Sequence, residues 1–240
     1  MKPKVAVVAG GLATRMRAVS GETPKAMLEI NGKPLLQHQV EVFKKQGFTD
    51  FVFCIAHFGQ KIRDCFGNGS GLGIRIEYSE ESELLGTAGA VKLAESKLGE
   101  VCIVFYGDNL TTMDFGRLLE FHESKESDFT VVAGEVRDGK ITGSLLTLDN
   151  GRITLFLEHP EKEEFVKRGK IYYNRGIYVM NKKVFSLIPD GKCDFGHDLI
   201  PALIKQKAGI YGYVTDEFFR EIGRPEKYER LKEELKGVVL

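Results

Sequence analysis

The densest group of residues able to bind an anion lies near the start of the chain. Gly10 and Gly11 directly follow an apolar run, and Arg15, Arg17 and Lys25 come after them at short range. Glycines let backbone N–H groups approach a bound phosphate closely, while guanidinium and ammonium groups supply cationic donors around it. The segment as far as Lys25 holds five Lys and Arg against one Glu. It therefore predicts a phosphate site, and the alternative is a glycine turn flanked by solvated arginines.

Two familiar nucleotide-binding signatures do not explain this loop. It lacks the GxGxxG pattern of dehydrogenases, and no acidic residue marks the ribose position of that motif. A GxxxxGK string runs from Gly134 to Lys140, but Ile141 stands where a P-loop needs Ser or Thr to hold magnesium. Glu135 and Asp138 within the string would also repel phosphate. We interpret this string as a chance match and place the phosphate site in the first loop.

Apolar runs of strand length alternate with amphipathic helical patterns through the first half of the chain. This alternation indicates βαβ units, in which a mostly parallel sheet has helices on both faces. The predicted strands span 4–9, 51–56, 74–79, 101–108 and 128–136, and the predicted helices span 34–47, 59–67, 87–99 and 115–125.

The second half of the chain changes toward hairpins. Asn150 and Gly151 form a turn signal between two strand-like runs, which predicts an antiparallel pair. We expect a single α/β domain over residues 1–240. It would be a Rossmann-like, three-layer αβα arrangement with a mostly parallel central sheet, and a smaller antiparallel hairpin region would cover the carboxyl ends of the strands, where open α/β sheets bind ligands. The remaining predicted elements are strands at 170–180 and 210–214 and helices at 194–206 and 225–236.

Composition narrows the class of protein. The 240 residues carry 34 Lys and Arg against 34 Asp and Glu, and this zero net charge argues against a nucleic-acid binder. An apolar fraction of 42 % is enough to bury a sizeable core. The four cysteines form no CxxC pair, which favours free thiols in a reducing cytosol. No run approaches the roughly 18 apolar residues that span a bilayer, so we expect a cytoplasmic protein without a membrane partner.

Taken in order, the motifs resemble those of the sugar-1-phosphate nucleotidylyltransferases. Within that family they look most like the motifs of the mannose- and heptose-1-phosphate guanylyltransferases. These enzymes join a nucleoside triphosphate and a sugar 1-phosphate to give an NDP-sugar and pyrophosphate. The resemblance covers nearly the whole chain and implies a nucleotide-binding core over 1–136 and a sugar-binding, sheet-completing part over 137–240. The oligomeric state stays open, with a homodimer as one alternative. The motifs are GGLATRM, TPKAMLEINGKPLLQH, LGTAGA, YGDN, FLEHP, YNRGIYVM, DLIPAL and EIGRPEKY.

The resemblance implies a role for each matching residue. Arg15 would hold the triphosphate and steady the departing pyrophosphate, and Lys25 would bridge the reacting phosphates. Asp108 would be the third catalytic residue and would bind the Mg²⁺ cofactor together with Glu221. The structural alternatives are a helix cap for Asp108 or Thr87 and an exposed hairpin-end charge for Glu158. The nucleotide-binding positions would be Ala9, Gly10, Gly11, Thr14, Arg15, Glu81, Gly86 and Thr87, and the sugar-binding positions Gly143, Glu158, His159 and Asn174.

Three positions depart from the family pattern. Ala13 replaces the glycine usual in the first loop, and Glu221 replaces the usual second metal-binding Asp. His159 stands where the family often has a lysine that grips the sugar phosphate, so that role would pass to His159, Lys162 or Arg175. These changes bear on rate and substrate more than on the class of reaction.

The choice of base depends on an acidic segment just before LGTAGA. A carboxylate there would accept hydrogen bonds from guanine N1 and N2, and the alternative is a solvated loop of glutamates. We expect GTP with a mannose- or heptose-type 1-phosphate; the runner-up is UTP, dTTP or CTP with glucose 1-phosphate. A catalytically weak, sugar-nucleotide-binding regulatory protein is a further hypothesis. An oxidoreductase is disfavoured because GxGxxG is absent. The acidic residues are Glu77, Glu80, Glu81 and Glu83.

Overall fold

A computed structural model describes residues 2–11, 16, 19, 21–136, 143–160 and 170–238. The strands are β1 (Lys4–Val8), β2 (Glu29–Ile30), β3 (Lys33–Pro34), β4 (Asp50–Ile55), β5 (Arg75–Glu80), β6 (Val101–Tyr106), β7 (Asn109–Thr111), β8 (Phe129–Glu135), β9 (Leu145–Asp149), β10 (Arg152–Leu157), β11 (Tyr172–Asn181), β12 (Ile210–Val214) and β13 (Phe219–Glu221). The α-helices are α1 (Leu35–Lys45), α2 (Gly59–Phe66), α3 (Gly86–Leu93), α4 (Phe115–Ser124), α5 (Ile200–Lys205) and α6 (Pro225–Glu234).

Several shorter helical turns connect these elements. A π-helical turn, Phe195–Leu199, leads directly into α5. The single helix expected over 194–206 is therefore two segments of different winding, and the helix expected over 87–99 ends at Leu93. The 3₁₀ turns are Lys25–Met27, Ser70–Leu72, Glu95–Lys97 and Lys182–Leu187.

Nine strands form one mixed sheet in the order β5-β4-β1-β6-β11-β8-β12-β10-β9. The first four are parallel, as expected, and β12 is parallel to β8. The expectation of a mostly parallel sheet is wrong beyond β6, because β11 lies between β6 and β8 and runs antiparallel to both. A parallel strand needs a crossover of a dozen or more residues, usually a helix, and the sequence before β11 carries a hairpin pattern instead.

The predicted hairpin is confirmed. β9 and β10 pair antiparallel, and Asn150 and Gly151 have φ angles of 50° and 83°, as a type I′ turn requires. β9 also pairs with the start of β11, where Tyr172 lies opposite Leu146. The hairpin is thus continuous with the main sheet, and its strand β9 lies beside the first residues of β11.

Apolar side chains pack on both faces of the sheet. Since successive strand residues point to opposite faces, Val5 and Val7 join one buried cluster while Ala6 joins the other. The first cluster includes α1, α2 and α4, where Phe43 stacks on Phe115 at a centroid distance of 4.0 Å. The second includes α3, α5 and the π-helical turn. No helix within the described ranges is long and apolar enough to cross a membrane.

Candidate functional site

A cleft of about 640 Å³ opens at the carboxyl ends of β1, β5 and β6. Most of the predicted site residues line it, and they come from both halves of the chain. Thr14 and Arg15 lie outside the described residues, as do Ala13 and Lys162. Gly143 precedes the lining residue Ser144 and does not itself line the cleft. The predicted residues that line it are Ala9, Gly10, Gly11, Lys25, Glu81, Gly86, Thr87, Asp108, Glu158, His159, Asn174 and Glu221.

The glycine loop starts where β1 ends, and close packing requires a glycine at the first of its two glycine positions, residue 10. The amide of Ala9 donates to the carbonyl of Cys54 at 2.9 Å, which extends the β1–β4 ladder by one residue. A Cβ atom at Gly10 would lie 2.7 Å from Oε1 of Glu81 and 3.1 Å from the Cβ of Ala56. Gly10 therefore permits the backbone to approach the Glu81 carboxylate directly. Gly11 has nothing within 4 Å of its equivalent Cβ position, so its backbone faces open space.

Lys25 and Asp108 form an ion pair within the cleft. Lys25 begins a 3₁₀ turn, Asp108 follows β6, and the Nζ–Oδ2 distance is 3.1 Å. Their side chains are 26 % and 23 % exposed, so a ligand can reach both. Asp108 is not a helix cap, because Asp114 caps α4 by accepting from the amides of Gly116 and Arg117.

Glu221 is brought beside Asp108 by a short strand pair that periodicity does not reveal. β13 pairs with β7 so that Glu221 lies opposite Asn109, and the amide of Ile222 donates to the carbonyl of Asp108 at 3.1 Å. Oε1 of Glu221 accepts from the amide of Gly223 at 2.9 Å, and Oε2 pairs with Lys227.

The chemistry of these two carboxylates fits a hard divalent cation. Asp108 and Glu221 offer oxygen donors, which Mg²⁺ prefers, and it usually binds through one or two carboxylates together with substrate phosphates. Among the described residues there is no group of three His, Cys, Asp or Glu side chains able to hold a metal. A bound Mg²⁺ would complete its coordination with phosphate oxygens and water.

Glu81 is the member of the acidic segment that enters the cleft. Its Oε2 accepts from the amide of Leu85 at 2.8 Å. Burial raises the pKa of this carboxyl, and the Leu85 hydrogen bond opposes that shift. Glu77 and Glu80 instead pair with Lys4 and Arg63, each at 2.7 Å. Glu77 and Glu80 therefore belong to β5 and to surface ion pairs rather than to a solvated loop of glutamates, and Glu81 lines the cleft.

The start of α3 is tied to the segment before the π-helical turn. Both the amide and the hydroxyl of Thr87 donate to Oδ1 of Asp194, at 3.0 and 3.2 Å. The same hydroxyl accepts from the amide of Phe195 at 2.9 Å. Thr87 therefore does not cap its own helix, since Leu85 holds the cap position. Its amide, expected to face the nucleotide, already has a partner inside the protein.

Glu158 and Asn174 line the cleft from the second half of the chain. Glu158 follows β10 and accepts from the Ser144 hydroxyl at 2.6 Å, because the antiparallel β9–β10 pairing places Leu157 opposite Leu145 and so brings the next residues together. Asn174 donates to the hydroxyl of Tyr178 at 2.8 Å and accepts from the amide of Gly176. Burial raises the pKa of Tyr178 to about 12, so its hydroxyl stays protonated.

Of the residues considered for gripping the sugar phosphate, Arg175 is excluded. Its guanidinium donates to the carbonyls of Thr215 and Glu217 at 2.7 and 3.0 Å, and it lines a second cleft of about 530 Å³. His159 does line the first cleft, in a turn where its φ is 45°.

Sequence reasoning missed a whole lining segment. Lys192, Asp194, Gly196 and His197 come from the residues around the π-helical turn, which the apolar pattern assigned to an ordinary helix. The available signal was the polar and glycine content of GKCDFGHD just before the apolar run of α5. A π-helical turn, in which hydrogen bonds join residues five apart, has no sequence pattern of its own, but such turns are frequent at functional sites.

The chain belongs to the nucleotidyl transferase family, whose model matches residues 4–237. It is 34 % identical over 227 residues to a mannose-1-phosphate guanylyltransferase of Mycobacterium tuberculosis, covering 93 % of this chain and 62 % of that protein. It is 33 % identical over 235 residues to a D-glycero-alpha-D-manno-heptose 1-phosphate guanylyltransferase of Aneurinibacillus thermoaerophilus, covering 97 % and 98 %. The chain thus spans about three fifths of the first relative and nearly all of the second.

The fold is also that of a solved structure. HddC from Yersinia pseudotuberculosis superposes with a TM-score of 0.84 at 29 % identity, covering 98 % of this chain and all of that one. The same protein has been solved in complex with GMP-PN, and that structure superposes with a TM-score of 0.83 at 28 % identity.

Proposed function

We propose that this protein transfers a guanylyl group from GTP to the 1-phosphate of a mannose- or heptose-type sugar, releasing pyrophosphate. One observation carries the proposal. A single cleft is lined by the Lys25–Asp108 pair, Glu81, Glu158 and Asn174, and in the sheet β5, which precedes Glu81, and β11, which carries Asn174, lie on opposite sides of β6. Two anionic substrates need a shared positive charge between them, which Lys25 can supply, and separate polar groups that bind the base and the sugar. The activities named for two relatives support the same choice of base and sugar.

The reaction asks for positioning and charge neutralisation rather than a covalent nucleophile. An oxygen of the sugar phosphate attacks the α-phosphorus, and the bond from that phosphorus to the leaving oxygen breaks, so pyrophosphate departs with the electron pair. Lys25 would place its ammonium between the reacting phosphates. The backbone of Gly10 and Gly11 would bind the triphosphate, and Arg15 would hold the departing pyrophosphate.

Mg²⁺ is part of the proposal. Asp108 and Glu221 would hold it, and it would act as a Lewis acid that neutralises phosphate oxygens. Lys227, paired with Glu221, lowers the negative charge of this carboxylate pair before substrates arrive.

Glu81 is the proposed determinant of the base. Its carboxylate lies within the cleft, partly buried and backed by the Leu85 amide and by Gly10. Guanine offers two adjacent donors, N1–H and the N2 amino group, which a carboxylate can accept together. Uracil and thymine offer one donor on the equivalent edge, so Glu81 favours guanine over them.

The test is pyrophosphate release with four nucleoside triphosphates against mannose, glucose and heptose 1-phosphates. We expect turnover with GTP and a manno-configured sugar phosphate. Turnover only with UTP, dTTP or CTP and glucose 1-phosphate would replace the proposed substrates. Tight nucleotide binding without turnover for any pair would support the regulatory protein instead.

We also infer the layer arrangement of the fold, the division of the chain into two parts and the cellular location of this activity. The two apolar clusters on opposite faces of the sheet support a three-layer, Rossmann-like arrangement. The position of Glu81 before residue 136 and of Glu158 after it supports the division into a nucleotide-binding core over 1–136 and a sugar-binding part over 137–240. The free cysteines, three of them buried, support a reducing cytoplasm.

A further inference from the structure

The π-helical turn Phe195–Leu199 lies against the carboxylate expected to bind the sugar. Gly196 is buried in this turn, and a Cβ atom built on it would overlap Oε1 of Glu158. Among the described residues, the three atoms nearest to that Cβ position all belong to Glu158. Any side chain at residue 196 would therefore have to displace Glu158.

The helical turn itself gives no reason for this glycine. No positive φ is recorded for Gly196, so its backbone conformation is one that residues with a side chain adopt. Within a helix, glycine is disfavoured relative to alanine because it loses more backbone entropy on folding. The close approach of Glu158 therefore explains why residue 196 is a glycine.

The turn cannot move away from Glu158 easily, because the residues before it are fixed to α3. The carbonyl of Cys193 accepts from the amides of Ala88 and Gly89 at 2.9 and 3.0 Å, and the amide of Cys193 donates to Leu85 at 2.8 Å. Asp194 adds its two bonds to Thr87. A clash at Gly196 would therefore be relieved by movement of Glu158 rather than of the turn.

Glu158 is held from the other side as well. Its Oε2 accepts the hydroxyl of Ser144 at 2.6 Å, while Oε1 is the oxygen that faces Gly196. The carboxylate therefore has one defined orientation between a hydroxyl donor and a glycine.

We infer that Gly196 is a positioning residue for the sugar site: its missing side chain lets Glu158 lie where it accepts a hydroxyl of the sugar 1-phosphate. The inference deepens the proposed function and rests on it for the identity of the ligand. Gly196 touches no reacting atom and acts through Glu158. The glycine thereby determines affinity for the sugar substrate and leaves the nucleotide end of the cleft unaffected.

The experiment is a double-mutant cycle between Gly196→Ala and Glu158→Ala, with pyrophosphate release as the kinetic readout. In the wild-type background we expect G196A to raise the KM for mannose 1-phosphate by at least ~10-fold, since a small misplacement of a contact group is enough for such losses. The Kd for GTP, measured by calorimetry, should change less than about twofold. In the E158A background, G196A should have less than about a twofold effect on either quantity, because the clashing carboxylate is gone.

Thermal unfolding supplies a readout that does not need turnover. G196A should lower the Tm of the wild-type protein and leave the Tm of E158A unchanged or raise it. Gly71→Ala is the matched control, since Gly71 is exposed, lies in a 3₁₀ turn and has open space at its Cβ position. It should change neither KM nor Kd.

The outcomes separate the two claims. If G196A lowers the Tm or raises the KM equally in both backgrounds, Gly196 has a structural role unrelated to Glu158 and the inference is overturned. A wild-type KM for G196A would overturn it too. If the wild-type protein turns over no substrate pair but the Tm cycle is non-additive, the proposed function fails while the Gly196–Glu158 contact stands.

Discussion

Lys25 and Asp108 neutralise each other across 3.1 Å within the cleft. A triphosphate would bring several negative charges to this pair, so Lys25 would exchange one carboxylate partner for phosphate oxygens. Asp108 would then be released to a cation. At a site exposed by about a quarter, the pair itself contributes only about 1 kcal/mol or less to folding, because solvent screens it. The pair therefore adds little to stability, and its proposed role is in the reaction.

The first prediction concerns this pair. Lys25→Ala and Asp108→Asn should each lower kcat by at least ~100-fold, the scale of losing one electrostatic catalyst. Pyrophosphate release at saturating substrates measures the change, and the Tm should stay close to that of the wild type. Lys182→Ala is a matched control, because Lys182 forms an exposed pair with Glu100 away from the cleft. Near-normal kcat in either cleft variant would remove that residue from the mechanism.

The second prediction concerns Glu81. Glu81→Gln should lower kcat/KM for GTP by roughly 10- to 100-fold, because a neutral amide cannot accept both guanine donors as well as a carboxylate does. Glu80→Gln, altering a residue paired with Arg63 on the surface, is the control and should change little.

Glu81 should also make GTP binding depend on pH. Its pKa is raised by burial, so the carboxyl takes up a proton at a higher pH than an ordinary Glu does. The charged form is present above the raised pKa, and GTP affinity should fall as the pH drops through it. Calorimetric Kd values between about pH 7.5 and about pH 5 would measure this. An identical pH profile for Glu81→Gln would contradict the assignment.

At the scale of elements, two kinds of segment behave differently. Strands and helices that bury a regular apolar face follow from the sequence to within a few residues, as α1 and β4 do, because periodicity reports burial. The three-residue strands β7 and β13 are too short to show a period, yet their pairing places Glu221 beside Asp108. The π-helical turn likewise has no periodic pattern in the sequence that would predict it. The sequence therefore identifies site residues through family motifs, while contacts such as Asp194 with Thr87 depend on segments distant in the chain.

The third prediction tests the link between α3 and the segment before the π-helical turn. Thr87→Val removes a hydroxyl that both donates to Asp194 and accepts from Phe195, so the free energy of unfolding should fall by about 1–2 kcal/mol. Because Thr87 and Asp194 both line the cleft, the KM values for both substrates should rise. Denaturant unfolding and steady-state kinetics measure the two effects.

A variant of matched stability separates the two effects. Asp114→Ala removes the cap of α4 and should cost about 1 kcal/mol without changing either KM, since α4 starts outside the cleft. If Asp114→Ala and Thr87→Val alter both KM values alike, loss of stability rather than the link explains the kinetics.

At the scale of the whole molecule, the charges that sum to zero lie in local ion pairs and in clefts lined by both signs of charge. Charged residues such as Lys4, Arg63 and Lys183 are paired with carboxylates over the surface. Within the cleft, Lys25 stands among Glu81, Asp108, Glu158 and Glu221. Composition alone predicts the neutrality but not this arrangement, because the residues concerned come from segments far apart in the chain.

The fourth prediction concerns the proposed division of the chain at residue 136. β11 and β12 come from the second part, yet they are the two neighbours of β8 in the sheet. A fragment of residues 1–136 should therefore fail to form a stable monomer, since β8 would lose both of its paired neighbours and β6 would lose one. Circular dichroism and size-exclusion chromatography of the fragment would test this. A monodisperse, cooperatively unfolding fragment would show that the core is autonomous.

The placement of β8 also constrains how the chain is made. During synthesis this strand is made before either of its neighbours, and six of its seven residues are buried in the finished sheet. Until residues 172–214 follow, the nascent protein would carry an apolar strand with two open edges, the kind of surface that aggregates or recruits chaperones. Yield in the cell should therefore respond to translation speed through the second half of the message, even where the amino-acid sequence is unchanged.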